Sequence, residues 1–145
     1  MIGLIQRVIR AEVQVDKQSI GQIEQGLLVL VGMQKNDQIE QADKLLHRLL
    51  NYRLFADADD KMNLSVSDIQ GGLLLVPQFT LAADTKKGLR PSFSTAKPPA
   101  EAEILFNHLL KQAKTQYEHV EAGQFGADMQ ISLVNDGPVT FSLSV

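Results

Sequence analysis

Two short stretches of this chain hold residues whose backbone atoms could do chemistry. In Asn135-Asp136-Gly137-Pro138-Val139-Thr140, proline fixes its own φ and glycine accepts angles closed to other residues. The bond between them can be cis at low cost. Such a pair can hold two carbonyl oxygens in a fixed direction, although taken alone it reads as a hairpin turn between two strands. The second stretch, Gln78-Phe79-Thr80, leaves the apolar run Leu73-Leu74-Leu75-Val76 through Pro77. Gln78 and Thr80 share one parity, an amide beside a hydroxyl. The N–H groups beyond the strand exit are free of the ladder and could meet an oxyanion. Taken alone, Gln-x-Thr reads as surface decoration.

Other chemistries lack their residues. The chain has no cysteine, which removes disulfides, thiolate nucleophiles and Cys-based zinc sites, and agrees with a reducing compartment. His47, His108 and His119 lie in or at the end of predicted helices at spacings that form no metal pair. His108 reads as a satisfied core residue, and His119 as a complement to a helix C-terminus. There is no Gly-x-Ser-x-Gly elbow, and Gly71-Gly72 lacks the lysine of a phosphate loop. Asp57 to Asp68 resembles a calcium loop, but Met62 stands where glycine is needed and Asp68 where a bidentate Glu belongs, so it reads as an exposed turn. Neither a metal nor a cofactor is expected.

The formal net charge of −3 argues against a non-specific binder of duplex DNA, which needs many cations at the phosphates. The segment from Lys86 to Lys97 nevertheless carries Lys86, Lys87, Arg90 and Lys97 without an acid. It reads either as a solvated loop or as a small phosphate-facing patch. Charge interrupts the apolar N-terminus early, and no apolar stretch approaches a membrane span, so a cytoplasmic protein with no membrane partner is expected.

These residues need a frame, and 145 residues with 44% hydrophobic and 21% charged content fit one domain, residues 1–145. Ile5, Arg7, Ile9, Ala11, Val13 and Val15 alternate as a strand, with Arg7 a charge on the apolar parity. That Arg must find a carboxylate or carbonyls, or face a site. Turns are expected at Gln18 to Gly21 and near Gly26. Leu27 to Val31 and Leu73 to Val76 read as strands covered on both faces. A helix capped by Asn36 or Asp37 presents Ile39, Ala42, Leu45, Leu46, Leu49 and Leu50 on one side. Tyr52 to Ala56 reads as a short strand. A second helix runs from Pro98-Pro99 to about His119, with Ile104, Leu105, His108, Leu109 and Ala113 on its apolar face. Two strands close the chain around the Gly-Pro turn. The order predicts an α/β domain: a curved, mixed, barrel-like sheet with two packed helices, since consecutive strands without helices exclude a purely parallel sheet.

The two stretches together resemble one family. Pro77-Gln78-Phe79-Thr80-Leu81-Ala82-Ala83-Asp84-Thr85, Gly88-Leu89-Arg90-Pro91-Ser92-Phe93 and Asn135-Asp136-Gly137-Pro138-Val139-Thr140, with the opening Gln6-Arg7-Val8, closely resemble the D-aminoacyl-tRNA deacylases over essentially the whole chain. The family's first motif usually begins with serine; here that position is Pro77. The resemblance implies the deacylase fold, a homodimer, and a cis Gly-Pro unit from each subunit entering the other's active site. It implies hydrolysis of the ester between a D-amino acid and the terminal adenosine of tRNA, with glycyl-tRNA also accepted. Gly137 and Pro138 would take up the ammonium and exclude an L side chain, with Arg7 supporting them from beneath. The Phe79 N–H, with that of Thr80, would bind the oxyanion, and Gln78 would position the adenosine. No His or Lys in the motifs offers Thr80 a base, so the ribose 2′-hydroxyl is the better candidate for activating water, with the Thr80 hydroxyl the alternative. Lys86, Lys87, Arg90 and Lys97 are the expected acceptor-stem contacts. A general small-ester or acyl hydrolase, and a non-catalytic dimeric module that binds tRNA ends or related editing enzymes, are the competing readings.

Overall fold

A computed structural model describes residues 1–86 and 88–145. Its spine is β1 (Ile2–Val15). One edge of β1 is shared: residues 2–8 pair antiparallel with β3 (Gly26–Gly32), and residues 11–15 with β2 (Gln18–Ile23). Asp16 and Lys17, with φ of 49° and 65°, make the two-residue turn between β1 and β2, because two positive φ values match the twist of a hairpin. The turn expected at Gln18 to Gly21 is therefore two residues earlier, and those residues are strand. β3 pairs in parallel with β6 (Gly72–Pro77), and β6 with β7 (Val120–Ala122). The crossover from β3 carries α1 (Ile39–Asn51), the short ribbon β4 (Phe55–Ala56) and β5 (Met62–Leu64); α2 (Pro99–Gln116) joins β6 to β7. The sheet nearly closes, because a Cβ on Gly21 of β2 would lie only 2.9 Å from the Ala122 carbonyl of β7.

Closure creates two apolar compartments. Leu27, Val29 and Val31 of β3 and Leu73 and Leu75 of β6 pack with α1 and α2, whereas Leu28, Leu74 and Val76 face the barrel interior. Both strands are covered on both faces, as their unbroken apolar runs predict. In β1 the alternation slips. A register irregularity between Val8 and Arg10 turns Val8, Ala11 and Val13 all toward the interior and leaves Ile9 half-exposed, so the single parity expected for this strand does not hold.

The helices follow their patterns with shifted ends. α1 buries Ala42, Leu45, Leu46, Leu49 and Leu50, but Ile39 lies half-exposed at its start. Asp37 does not cap it: its carboxylate is buried, 2.6 Å from the Met1 ammonium and 2.6 Å from the Gln34 N–H. α2 ends at Gln116, short of His119, and buries Phe106 rather than Ile104. His108 spans the helix pair, its Nε2 2.7 Å from Asp43. Beyond α2, the Tyr117 hydroxyl donates to the Gly71 carbonyl at 2.6 Å, and burial pushes its pKa above the ordinary 10.0. The expected turn at Asp57 is an Asx-type loop: its carboxylate accepts from the Asp59 and Lys61 N–H groups and, at 2.7 Å, from the Asn63 side chain. These bonds, that of Asn63 first, hold the exposed carboxyl below its ordinary 3.8.

The largest correction concerns the C-terminus. The expected two strands are one, β8 (Gln130–Ser144), antiparallel to β1 along nearly its whole length. Gln6 pairs with Thr140 and Val8 with Asn135, so Asp136, Gly137, Pro138 and Val139 bulge outward opposite the single residue Arg7. The chain continues in the same direction after the Gly-Pro pair, which is therefore no hairpin turn.

Candidate active site

Two separate features carry the motifs. At the exit of β6 the chain tightens into a 3₁₀ turn, Phe79–Ala82. The Gln78 N–H still donates to the Val31 carbonyl of β3 at 2.8 Å, and the turn closes with Leu81 N–H to Gln78 and Ala83 N–H to Thr80. The first N–H groups of such a turn have no carbonyl behind them. Among the described hydrogen bonds, neither the Phe79 nor the Thr80 N–H is spent on a backbone acceptor. Gly32 makes this packing possible, since a Cβ there would fall 2.8 Å from that of Leu81 and 3.3 Å from the Gln78 carbonyl. The Gln78 side-chain amide donates to the Thr80 hydroxyl. The three histidines lie elsewhere: His47 is exposed on α1, His108 meets Asp43, and His119 packs edge-on to Tyr117.

The second feature is the outward loop of β8. Its Gly137–Pro138 bond is cis, and both residues are exposed. Gly137 has φ of +119°, and a Cβ on it would fall 2.8 Å from Val139 Cγ2 and 3.1 Å from Arg7 Nη2. Asn135 clasps the base of the loop: its Nδ2 donates to Thr140 Oγ1 at 2.8 Å, and its Oδ1 accepts from the Val139 N–H at 3.2 Å. Arg7 lies beneath, its side chain only 15% exposed. Its Nη1 donates to the Leu54 carbonyl at 2.7 Å, and its Nε lies 3.0 Å from Asp136 Oδ2. That second contact is a charge pair off the N–H axis, for Nε makes no directed hydrogen bond among the described residues. The residue expected to hold the Gly-Pro carbonyls thus ties the loop down through Asp136 and Leu54. Leu54 has no signal in the sequence that singles it out.

The strand register separates the features within one protomer. Pro77 is level with Val31, Val31 with Gly3, and Gly3 with Leu143, whereas Gly137 sits opposite Arg7. Four residues of strand, about 13 Å, and three strand spacings, about 14 Å, lie between them along the sheet.

Of the basic residues expected to meet the acceptor stem, Lys86 and Arg90 are exposed and Lys87 lies outside the described residues. Lys97 is a correction. Its side chain is 4% exposed, with Nζ 3.3 Å from Glu101, and cannot reach a phosphate. Sequence reasoning had passed over Phe93, whose ring lies 5.0 Å from that of Phe79. Two exposed aromatics in consecutive motifs were the available signal.

By its sequence, this curved mixed sheet belongs to a class that acts on aminoacyl-tRNA: the model described as D-Tyr-tRNA(Tyr) deacylase matches residues 4–144. The chain belongs to that family, and the enzyme class expected from the paired motifs, D-aminoacyl-tRNA deacylase, is borne out. A D-aminoacyl-tRNA deacylase of Pseudomonas putida is 63% identical over 145 residues, 100% of both chains. One of Cellvibrio japonicus is 59% identical, spanning 100% of this chain and 99% of its own. A solved structure, the c-Myc DNA unwinding element binding protein, superposes with a TM-score of 0.96 at 38% identity, covering 100% of this chain and 99% of that one.

Proposed function

We propose that the chain hydrolyses the ester between a D-amino acid and the terminal adenosine of tRNA, as a homodimer whose Gly137-Pro138 loop enters the partner's cleft beside Gln78-Phe79-Thr80. The observation that carries this reading is the separation of the two motifs in one protomer, together with the exposed, outward course of the loop. An element pushed away from its own donors can serve a site only in another molecule. Family membership supplies the reaction.

In this arrangement the Gly137 and Pro138 carbonyls accept the substrate's ammonium and leave no room for an L side chain, selection by exclusion that tolerates any D side chain. Glycine passes, so glycyl-tRNA(Ala) is also cleaved. Water attacks the ester carbonyl, the Phe79 and Thr80 N–H groups hold the oxyanion, and the C–O bond to the ribose breaks, releasing D-amino acid and tRNA. The Thr80 hydroxyl already accepts from Gln78, and no histidine is recorded beside it, so the ribose 2′-hydroxyl orients and activates the water. Pro77 in the position of the family's serine is compatible with this, because no hydroxyl is required there. Such a substrate puts the work in the cytoplasm. Among the described residues no helix is long and apolar enough to cross a membrane, and at net charge −3 duplex DNA has no part in the reading.

The deciding assay compares deacylation of D-, L- and glycyl-tRNA by the purified protein. Rapid turnover of the D and glycyl substrates with the L substrate spared is expected; equal cleavage of L would remove the filter. Undiminished turnover of tRNA ending in 2′-deoxyadenosine would end the RNA-assisted step, and equal cleavage of free D-amino acid esters would favour a general esterase.

A further inference from the structure

Phe79 is 60% exposed and Phe93 43% exposed, although their ring centroids are only 5.0 Å apart. An aromatic pair that serves only to pack loops together would shield itself from water, since each ring exposed forfeits much of its burial energy. The pair is also built to stay in place. Asp84 and Ser92 exchange two backbone hydrogen bonds at 2.7 and 3.0 Å, the Thr95 hydroxyl donates to the Ala82 carbonyl, and the Lys35 N–H donates to the Thr95 carbonyl at 2.9 Å. These contacts fix the loop bearing Phe93 to the 3₁₀ turn bearing Phe79. The segment that carries Phe93 has charge of one sign: no acid occurs between Asp84 and Glu101, and Lys86 and Arg90 within it are exposed.

We propose that Phe79 and Phe93 form a stacking platform for an unpaired nucleobase of an RNA 3′ end, with Lys86 and Arg90 along its phosphates. Aromatic faces next to cations recognise single-stranded nucleic acid, and they tolerate any base because every base has a π-face. A duplex presents no such free face. This inference rests on the proposed function for the direction of the strand, since the Phe79 N–H would then meet the ester at the RNA's end. Phe93 acts here as a positioning residue and makes no contact with the reacting atoms.

The chain contains no tryptophan, so Phe93→Trp introduces a single indole reporter at the platform. Adding a single-stranded RNA that ends in cytidine-cytidine-adenosine should quench its fluorescence, and the blunt duplex of the same sequence should not. Phe93→Leu keeps an apolar side chain but removes the π-face; it should weaken binding of that RNA in fluorescence anisotropy roughly 5- to 150-fold, while Phe93→Tyr retains it. With D-aminoacyl-tRNA as substrate, Phe93→Leu should raise KM and leave kcat nearly unchanged. Comparison with a D-aminoacyl-adenosine tells which base is held: an equal rise in KM assigns the terminal adenine, and a rise confined to tRNA assigns a cytidine. Unquenched fluorescence at saturating RNA, or wild-type affinity in Phe93→Leu, overturns the proposal. So does dissociation of a dimer by Phe93→Leu in sedimentation, which would make a second copy the occupant. If the unsubstituted protein fails to deacylate tRNA but the indole is still quenched, the platform stands and the proposed reaction falls.

Discussion

The 3₁₀ turn after β6 and the loop within β8 both offer main-chain atoms, but the first is drawn into its protomer and the second is expelled from it. The turn is the continuation of a strand buried on both faces, and it packs against Gly32 so closely that a single methyl group would displace it. The loop sits on a strand whose only sheet neighbour among the described residues is β1, and is held at its base by Arg7 and Asn135 while its tip is exposed. Donors whose direction matters to fractions of an ångström belong on a rigid floor. On the proposed reading, acceptors that serve a partner molecule must project.

That contrast can be broken from either side. The largest effect is expected from Gly32→Ala: the added Cβ moves the 3₁₀ turn, and kcat for D-aminoacyl-tRNA should fall about 10²-fold with D-over-L preference retained. Loss of preference instead would mean the two regions are not independent. Gly137→Ala should do the reverse. It forces a side chain into φ of +119° and toward Arg7, a strain of about 1–3 kcal/mol that the loop relieves by moving, so the D-to-L rate ratio should drop about tenfold or more while a poor L substrate gains. Arg7→Ala removes the bond to Leu54 and the charge beside Asp136, and should cost about 2 kcal/mol in denaturant unfolding, with selectivity falling more than kcat. An unchanged rate ratio would show that the loop holds its shape without Arg7.

The smallest expected effect lies in neither region. Tyr117→Phe leaves the Gly71 carbonyl unpaired at the start of β6 and should cost about 1 kcal/mol, with kcat and selectivity both intact. The pKa of Tyr117 is raised in the fold, so its contribution is complete below pH 10 and is lost as pH rises through the raised value, where the unfolded chain releases its proton first. Alkaline unfolding curves of the two proteins should converge there. A parallel loss of activity at neutral pH would mean that the turn depends on the whole length of β6.

Much of this was legible in the residues. Unbroken apolar runs announced the strands covered on both faces, and helical spacing announced both helices, because burial leaves a period in the chain. Gln78 to Thr80 could be assigned to a strand exit since Pro77 ends the ladder. What escaped were features of pairing. Asn-Asp-Gly-Pro suits a hairpin turn and an outward bulge equally well, and only the common partner β1 on both sides of it distinguishes them. The slip that buries Val8 and exposes Ile9 has the same origin. Lys97 failed as a surface cation for a different reason: Glu101, four residues on in the first turn of α2, offered a partner that charge counting ignores.

The pairing of β1 with β8 also sets a schedule. Gly3 meets Leu143, so one edge of β1 stays open until residues about 140 positions further along have been added. At ~5–20 residues per second of synthesis, that is a wait of roughly 7–28 s. Throughout it, the nascent chain carries an unpaired edge of the kind that recruits foreign strands. The loop that projects from β8 therefore acquires its place only once that pairing forms, after β2 and β7 have both been made.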